Sequence, residues 1–197
     1  PEVALEAARA AQSHIGLARA LARDPQMRER RRNIITAPAS VRSVGEAVMA
    51  ADRLLETAKA QADAQVSERN AREKAELMRQ LGMDEGESAT KASRTMIRQL
   101  EEDQKRRSKR ALTDAIDRAL IDLLAIYRDV LMIQVGGDGE LINTDLADLV
   151  GQIASDSTPR QTLARVDHIE TARKRLVANG NPLLVLEDMA ISLRPQA

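Results

Sequence analysis

ALTDAIDRALIDLLAIYRDVLMI, residues 111–133, is the stretch that decides the fold. Within it Leu112, Ile116, Leu120, Leu123, Leu124, Tyr127 and Leu131 recur at helical spacing, and Ile121, Ile126, Val130 and Ile133 widen the stripe. A helix apolar over so much of its circumference is buried on most sides and predicts a helical core around it. Composition points the same way. The hydrophobic share of 43% is drawn from Ala, Leu, Ile, Val and Met, with one tyrosine and no Phe or Trp, and a strand-built core without aromatics would be unusual. The chain is therefore expected to be all-α.

Downstream of this helix, Gly136-Gly137-Asp138-Gly139 reads as its stop. Three shorter amphipathic helices follow, starting near Asn143, at Thr158-Pro159 and at Asn181-Pro182. In the last two a capping side chain precedes a proline whose missing N–H costs nothing in the first turn, and Asn179-Gly180 is the stop between them.

Upstream, the Ala-rich start is interrupted around Ser13, His14 and Gly16, which predicts two short helices meeting at a bend, and Asp24-Pro25 opens another. Pro38 is expected to break that helix. Ser40 and Ser43 then offer capping oxygens for a long one whose start is buried through Val41, Val44, Val48 and Leu55. Running from 40 to 81, it would be about 60 Å long at ~1.5 Å per residue, more than a compact domain of this size needs, so it is expected to project. The turn is Gly82-Met83-Asp84-Glu85-Gly86-Glu87-Ser88. The returning helix carries Glu101, Glu102 and Asp103, each four residues before a cation, and Met96, Ile97 and Leu100 are expected to pack on Leu77, Met78 and Leu81.

Thirty basic residues balance thirty acidic ones, so any contact with nucleic acid or anionic lipid has to be a local patch. Without cysteine there is no disulfide, no thiolate nucleophile and no Cys-ligated zinc, in keeping with a reducing cytosol. No apolar run approaches the roughly 20 residues that span a bilayer, so a soluble, cytoplasmic protein with no membrane partner is expected. The chain begins at Pro1 and reads as helix by Ala4, so a fragment of a longer protein is expected.

No Gly-rich phosphate loop with Lys-Ser or Lys-Thr is present. Glu-x-x-His, which carboxylate-bridged metal bundles need, is missing because Ala11 precedes His14 and Arg165 precedes His168. Asp167, His168 and Glu170 fall on different helix faces, so the reading has no catalytic residue and no metal ligand. Two basic clusters remain: Arg28, Arg30, Arg31 and Arg32, and Lys105, Arg106, Arg107, Lys109 and Arg110. Either neutralises phosphates or forms a solvated or subunit-facing surface, and neither has an aromatic neighbour for base stacking.

Three segments, in this order, are similar to the C-terminal region of the delta-prime subunits of bacterial clamp loaders, the AAA+ assemblies of the DNA polymerase III holoenzyme. Residues 8–19, Ala-Arg-Ala-Ala-Gln-Ser-His-Ile-Gly-Leu-Ala-Arg, resemble the end of the AAA+ lid, where a Gly-x-Ala-Arg turn carries the sensor-two arginine. Ile126-Tyr127-Arg128-Asp129-Val130-Leu131 resembles the tyrosine-arginine-aspartate segment of the collar domain. Residues 179–189, from Asn179-Gly180-Asn181-Pro182 through Leu186-Glu187-Asp188-Met189, resemble the collar's closing helix. The resemblance covers about the first 55 residues and everything after Ala111, and the charged hairpin between looks like an insertion found in some high-GC relatives.

The resemblance implies that residues 1–24 end the lid and that 25–197 form a helical collar carrying a charged hairpin at 57–110. The collar assembles with delta and gamma/tau subunits into a five-membered ring that places the sliding clamp on primed DNA. It makes Arg19, with Gly16, a nucleotide-sensing candidate or a structural lid arginine. Tyr127, Arg128, Asp129, Asn181, Pro182, Leu186 and Glu187 become subunit-interface candidates or ordinary helix residues. No cofactor is expected in this chain, ATP belonging to the N-terminal module or to neighbouring subunits. The competing reading is a non-enzymatic coiled-coil adapter that works through its hairpin.

Overall fold

The structure is a computed structural model that describes residues 2–12, 14–82 and 90–194. Among these residues there is no strand. The helices are α1 (Glu2–Ala10), α2 (Ile15–Arg23), α3 (Pro25–Ala39), α4 (Val44–Gln80), α5 (Lys91–Gln134), α6 (Ala147–Ser155), α7 (Pro159–Val177) and α8 (Pro182–Ser192), with a 3-10 turn at Thr144–Leu146 before α6. They divide into two units, Pro1–Thr57 with Asp117–Ala197, and Ala58–Ile116.

Helix starts in the first unit follow local chemistry. Asp24 Oδ1 accepts from the N–H groups of Gln26 and Met27 at 2.9 and 3.2 Å, with Pro25 at the first helical position. Thr158 and Gln161 form a reciprocal capping box: Thr158 Oγ1 accepts from Gln161 N–H, and Gln161 Oε1 accepts from Thr158 N–H at 2.9 Å. Asn181 caps α8 by accepting from Leu183 N–H at 3.0 Å. His14 is the unexpected cap. Its Nδ1 accepts from Leu17 N–H at 3.0 Å and starts α2, while Ser13 lies outside the described residues.

Expectations at the junction of α3 and α4 need correction. Pro38 does not break α3, which runs through it to Ala39, with Ser40 N–H donating to Thr36 O at 3.0 Å as the closing bond. In a final turn proline forfeits one backbone bond, and here its ring is buried. Accordingly Ser43, not Ser40, opens α4, with its Oγ accepting from Glu46 N–H at 3.2 Å. The buried face at the start of α4 also differs: Val44 and Val48 are exposed, and Ala47, Ala50, Ala51, Leu54 and Leu55 point inward. Small residues let a neighbouring helix approach closely, which a count of large apolar residues does not detect.

The core of this unit is aliphatic. Leu120, Leu123, Ile126 and Val130 of α5 are fully buried, with Ile35 of α3, Val150 of α6, Ile169 of α7 and Leu186 of α8. Ile133, expected in the stripe, is 45% exposed because α5 is about to end. At the end of α7, Asn179 takes a left-handed φ of 63° and Gly180 N–H donates to Arg175 O at 2.8 Å. A Cβ on Gly180 would lie 2.9 Å from that carbonyl oxygen and 3.0 Å from Val185 Cγ2. Gly180→Ala is therefore expected to destabilise the chain by about 1–3 kcal/mol, read as a lower midpoint in thermal unfolding followed by circular dichroism. An unchanged midpoint would mean that the α7–α8 junction relaxes freely.

The second unit is an antiparallel pairing of α4 and α5. Ala62, Val66 and Ala111 are buried together with Leu112 packed against them, and polar clasps continue the register. Gln104 Nε2 donates to Asn70 O at 2.9 Å, Arg107 Nη1 donates to Asn70 Oδ1 at 2.7 Å and to Glu73 Oε2 at 2.8 Å, and Arg107 Nη2 donates to Glu73 Oε1 at 3.1 Å. The ion pairs expected along α5 at four-residue spacing are replaced by others. Glu101 faces Lys74 of α4, Glu102 accepts from Arg98, and Asp103 pairs with Arg106. Met96 is 46% exposed, whereas Ile97, Leu100, Leu77, Met78 and Leu81 are half-buried.

Candidate functional site

Tyr127, Arg128 and Asp129 occupy three consecutive positions on α5 and have three different surroundings. Tyr127 is 1% exposed, with the Arg165 guanidinium of α7 5.9 Å above its ring, a cation held against an aromatic face. Burial pushes the phenol up to about 12, against the opposing pull of Arg165. Arg128 is exposed, and its Nη1 donates to Asp129 Oδ1 and to Glu140 O, both at 2.8 Å.

Asp129 has no exposed surface and satisfies both oxygens. Oδ1 also accepts from Ile142 N–H at 3.0 Å, and Oδ2 accepts from Asn143 N–H at 2.8 Å and Asn143 Nδ2 at 3.0 Å. Two backbone amides and a guanidinium suit a carboxylate, which is an acceptor only. Asn143, itself fully buried, passes the chain on by accepting at Oδ1 from Arg31 Nη2 at 2.7 Å. The Arg31 Nε lies 3.2 Å from Asp122 Oδ1, but its N–H is not aligned for a hydrogen bond, so this contact is ionic. Burial raises the Asp122 carboxyl above its ordinary range, and the Arg31 charge only partly offsets that. The result is a buried polar relay from α5 through the 142–143 segment to α3 and back to α5.

This relay is what sequence reasoning missed. Its signal was present as Asp122 and Asp129, seven positions apart and hence on one face of α5, among the apolar residues of its buried stripe. Arg31, read as part of a basic patch, is an internal ion-pair partner with only 9% of its side chain exposed.

The other expected site residues are not brought together with it. Arg19 and Gly16 are exposed on α2, and Arg19 makes no hydrogen bond or ion pair among the described residues. Asn181 is an exposed cap, Pro182 and Glu187 are half-buried, and Leu186 has no accessible surface to offer another chain. In the first basic cluster Arg28 donates to Leu21 O at 2.6 Å and Arg30 pairs with Asp24 at 3.3 Å, leaving Arg32 exposed. In the second, Arg107 is committed to Glu73, whose carboxyl falls to about 2 because Arg107 and then Arg69 hydrogen-bond it. Arg106 is held by Asp103, and Lys105, Lys109 and Arg110 are exposed. Among the described residues no group of acidic or histidine side chains has the proximity to hold a metal ion, and no helix is long and apolar enough to cross a membrane.

No family model and no solved structure matches the chain. A stretch of 72 residues, 36% of the chain, is 38% identical to DNA polymerase III subunit delta' of Bacillus subtilis (strain 168). That stretch spans 22% of the curated relative's length. Over it, the chain is similar to a protein of the kind that its three motifs resemble.

Proposed function

We propose that this chain is the assembly part of a clamp-loader delta-prime subunit. In this reading residues 1–24 close an AAA+ lid, 25–197 are the collar, and the charged hairpin at 57–110 is an accessory to it. The observation that carries the reading is the 72-residue similarity to a delta' subunit. Exposed apolar side chains on the helices of the first unit, Leu163, Val177 and Leu184 among them, supply the kind of surface that ring partners would cover. The exposed arginines and lysines contribute at most a non-specific hold on DNA, since none is set beside an aromatic side chain.

The role is mechanical. A unit whose buried Asp129 is held by hydrogen bonds from the 142–143 segment and Arg128 keeps its shape while nucleotide hydrolysis in neighbouring subunits moves the ring. A second reading, an adapter working through the hairpin, is favoured by Ala58–Ile116 forming a compact unit with its own clasps. Light scattering after gel filtration, on the chain mixed with delta and gamma/tau subunits from the same source, tests the first reading. A discrete mixed complex that survives deletion of residues 57–109 is expected. Loss of association on that deletion supports the adapter, and no association with the intact chain overturns the clamp-loader reading.

A further inference from the structure

Along α4, from Arg69 onward, the cations have carboxylate partners: Arg69 faces Glu73, Arg72 faces Glu68, Arg79 faces Glu76, and Lys74 reaches Glu101 of α5. On α5 the pairing is incomplete. Arg107 is turned to Glu73, Arg98 has Glu102 and Arg106 has Asp103. Lys91, Arg94, Lys105 and Arg110 are exposed and have no carboxylate within ion-pair distance among the described residues.

Three of these four share a face. Gln104, Arg107 and Ala111 mark the side of α5 that meets α4. Lys91, Arg94, Arg98 and Lys105 follow at intervals of three, four and seven residues, which at about 3.6 residues per turn sets them within roughly 60° of one another, on the side turned away from α4. The row is about 21 Å long at ~1.5 Å per residue. Glu102 lies in it but is engaged with Arg98, and Glu101 is drawn aside to Lys74.

The row carries charge and nothing else, and that selects its partner. A protein interface needs an apolar centre, and a membrane surface needs an apolar face to insert, neither of which interrupts these cations. Single-stranded nucleic acid is held on aromatic platforms, and the one aromatic side chain of the sequence, Tyr127, is buried. A duplex backbone asks only for cations spaced along it.

We propose that the outward face of α5, through Lys91, Arg94, Arg98 and Lys105, grips the phosphate backbone of duplex DNA without reading its sequence. This gives a non-specific hold on DNA a definite place on the hairpin. It rests on α5 alone and is independent of assembly into a clamp-loader ring.

Fluorescence anisotropy of the whole chain, titrated alone into a labelled duplex of arbitrary sequence, is the test. Binding is expected at low salt and to weaken roughly a hundredfold between about 50 and 200 mM, as about four phosphate contacts would make it. Lys91→Gln, Arg94→Gln and Lys105→Gln together are expected to lower the slope of log affinity against log salt by about three. Arg69→Gln, Arg72→Gln and Arg79→Gln remove as many charges from α4, where each is already paired, and are expected to leave the slope nearly unchanged. On the unaltered chain, duplex is expected to protect Lys91 and Lys105 from acetylation and to leave Lys74 reactive. No binding at low salt, equal losses from the α4 and α5 variants, or tighter binding to phosphatidylglycerol vesicles than to duplex each overturns the proposal.

Discussion

Replacing Asp129 with alanine is expected to destabilise the chain by about 3–5 kcal/mol, the range for removing one member of a buried charged group and leaving the others uncompensated. The magnitude follows from what loses its acceptor. Ile142 N–H, Asn143 N–H and the Asn143 amide converge on this carboxylate within 3.0 Å, in a place that water does not reach. Asn143 then has no anchor, and the Arg31 guanidinium it accepts from is left with a misaligned contact to Asp122. Asp129→Asn is expected to rescue little, because one of its two positions becomes a donor facing donors. Urea denaturation with linear extrapolation measures the loss, and hydrogen exchange at the Ile142 and Asn143 amides locates it. A loss below about 1 kcal/mol, the size of an ordinary exposed interaction, would show that the relay is not a supporting element.

Tyr127→Ala is expected to cost about 3–5 kcal/mol, as truncations of buried large side chains do, while Tyr127→Phe keeps the ring under Arg165 and most of the stability. The tyrosine also makes a pH prediction. Its phenol is held at about 12 in the folded chain against 10 when unfolded, so its contribution is complete below pH 10. Between pH 10 and 12 the unfolded chain releases the proton first, and stability falls as pH rises, by roughly 3 kcal/mol across that interval. The sequence has one tyrosine and no tryptophan, so tyrosinate absorbance reports this residue alone. Ionisation and loss of helical signal are expected together above pH 10, with Tyr127→Phe less sensitive to alkali. A phenol titrating near 10 in an intact fold would refute its burial.

What could be read from the sequence was local. Asp24-Pro25, Thr158-Pro159 and Asn181-Pro182 each specify a helix start within four residues, and each helix begins there. The apolar stripe of α5 was equally plain, and Leu120, Leu123 and Ile126 are buried as it requires. Pro38, Ser40 and the exposed Val44 and Val48 were misread locally, but at the polar relay the failures were non-local. Arg31 reaches Asp122, and Asp129 reaches Asn143, only because separate helices have packed, and no periodicity encodes which buried aspartate meets which arginine. Arg107 likewise chose Glu73 of α4 over Asp103 of its own helix because the register of the facing helix places that carboxylate in line with both guanidinium nitrogens.

Asp24 closes one helix and opens the next: its N–H donates to Ala20 O at 2.9 Å while its carboxylate caps α3. Arg28 then reaches back from α3 to grip Leu21 O. No slack chain separates α2 from α3, so rotating one against the other would have to break a cap and a guanidinium clasp together. A shortened chain beginning at Pro25 would discard both and fray at its new end, whereas one beginning at His14 would carry the whole joint with it. Wherever a functional border falls in this stretch, the mechanical one does not lie between residues 24 and 25.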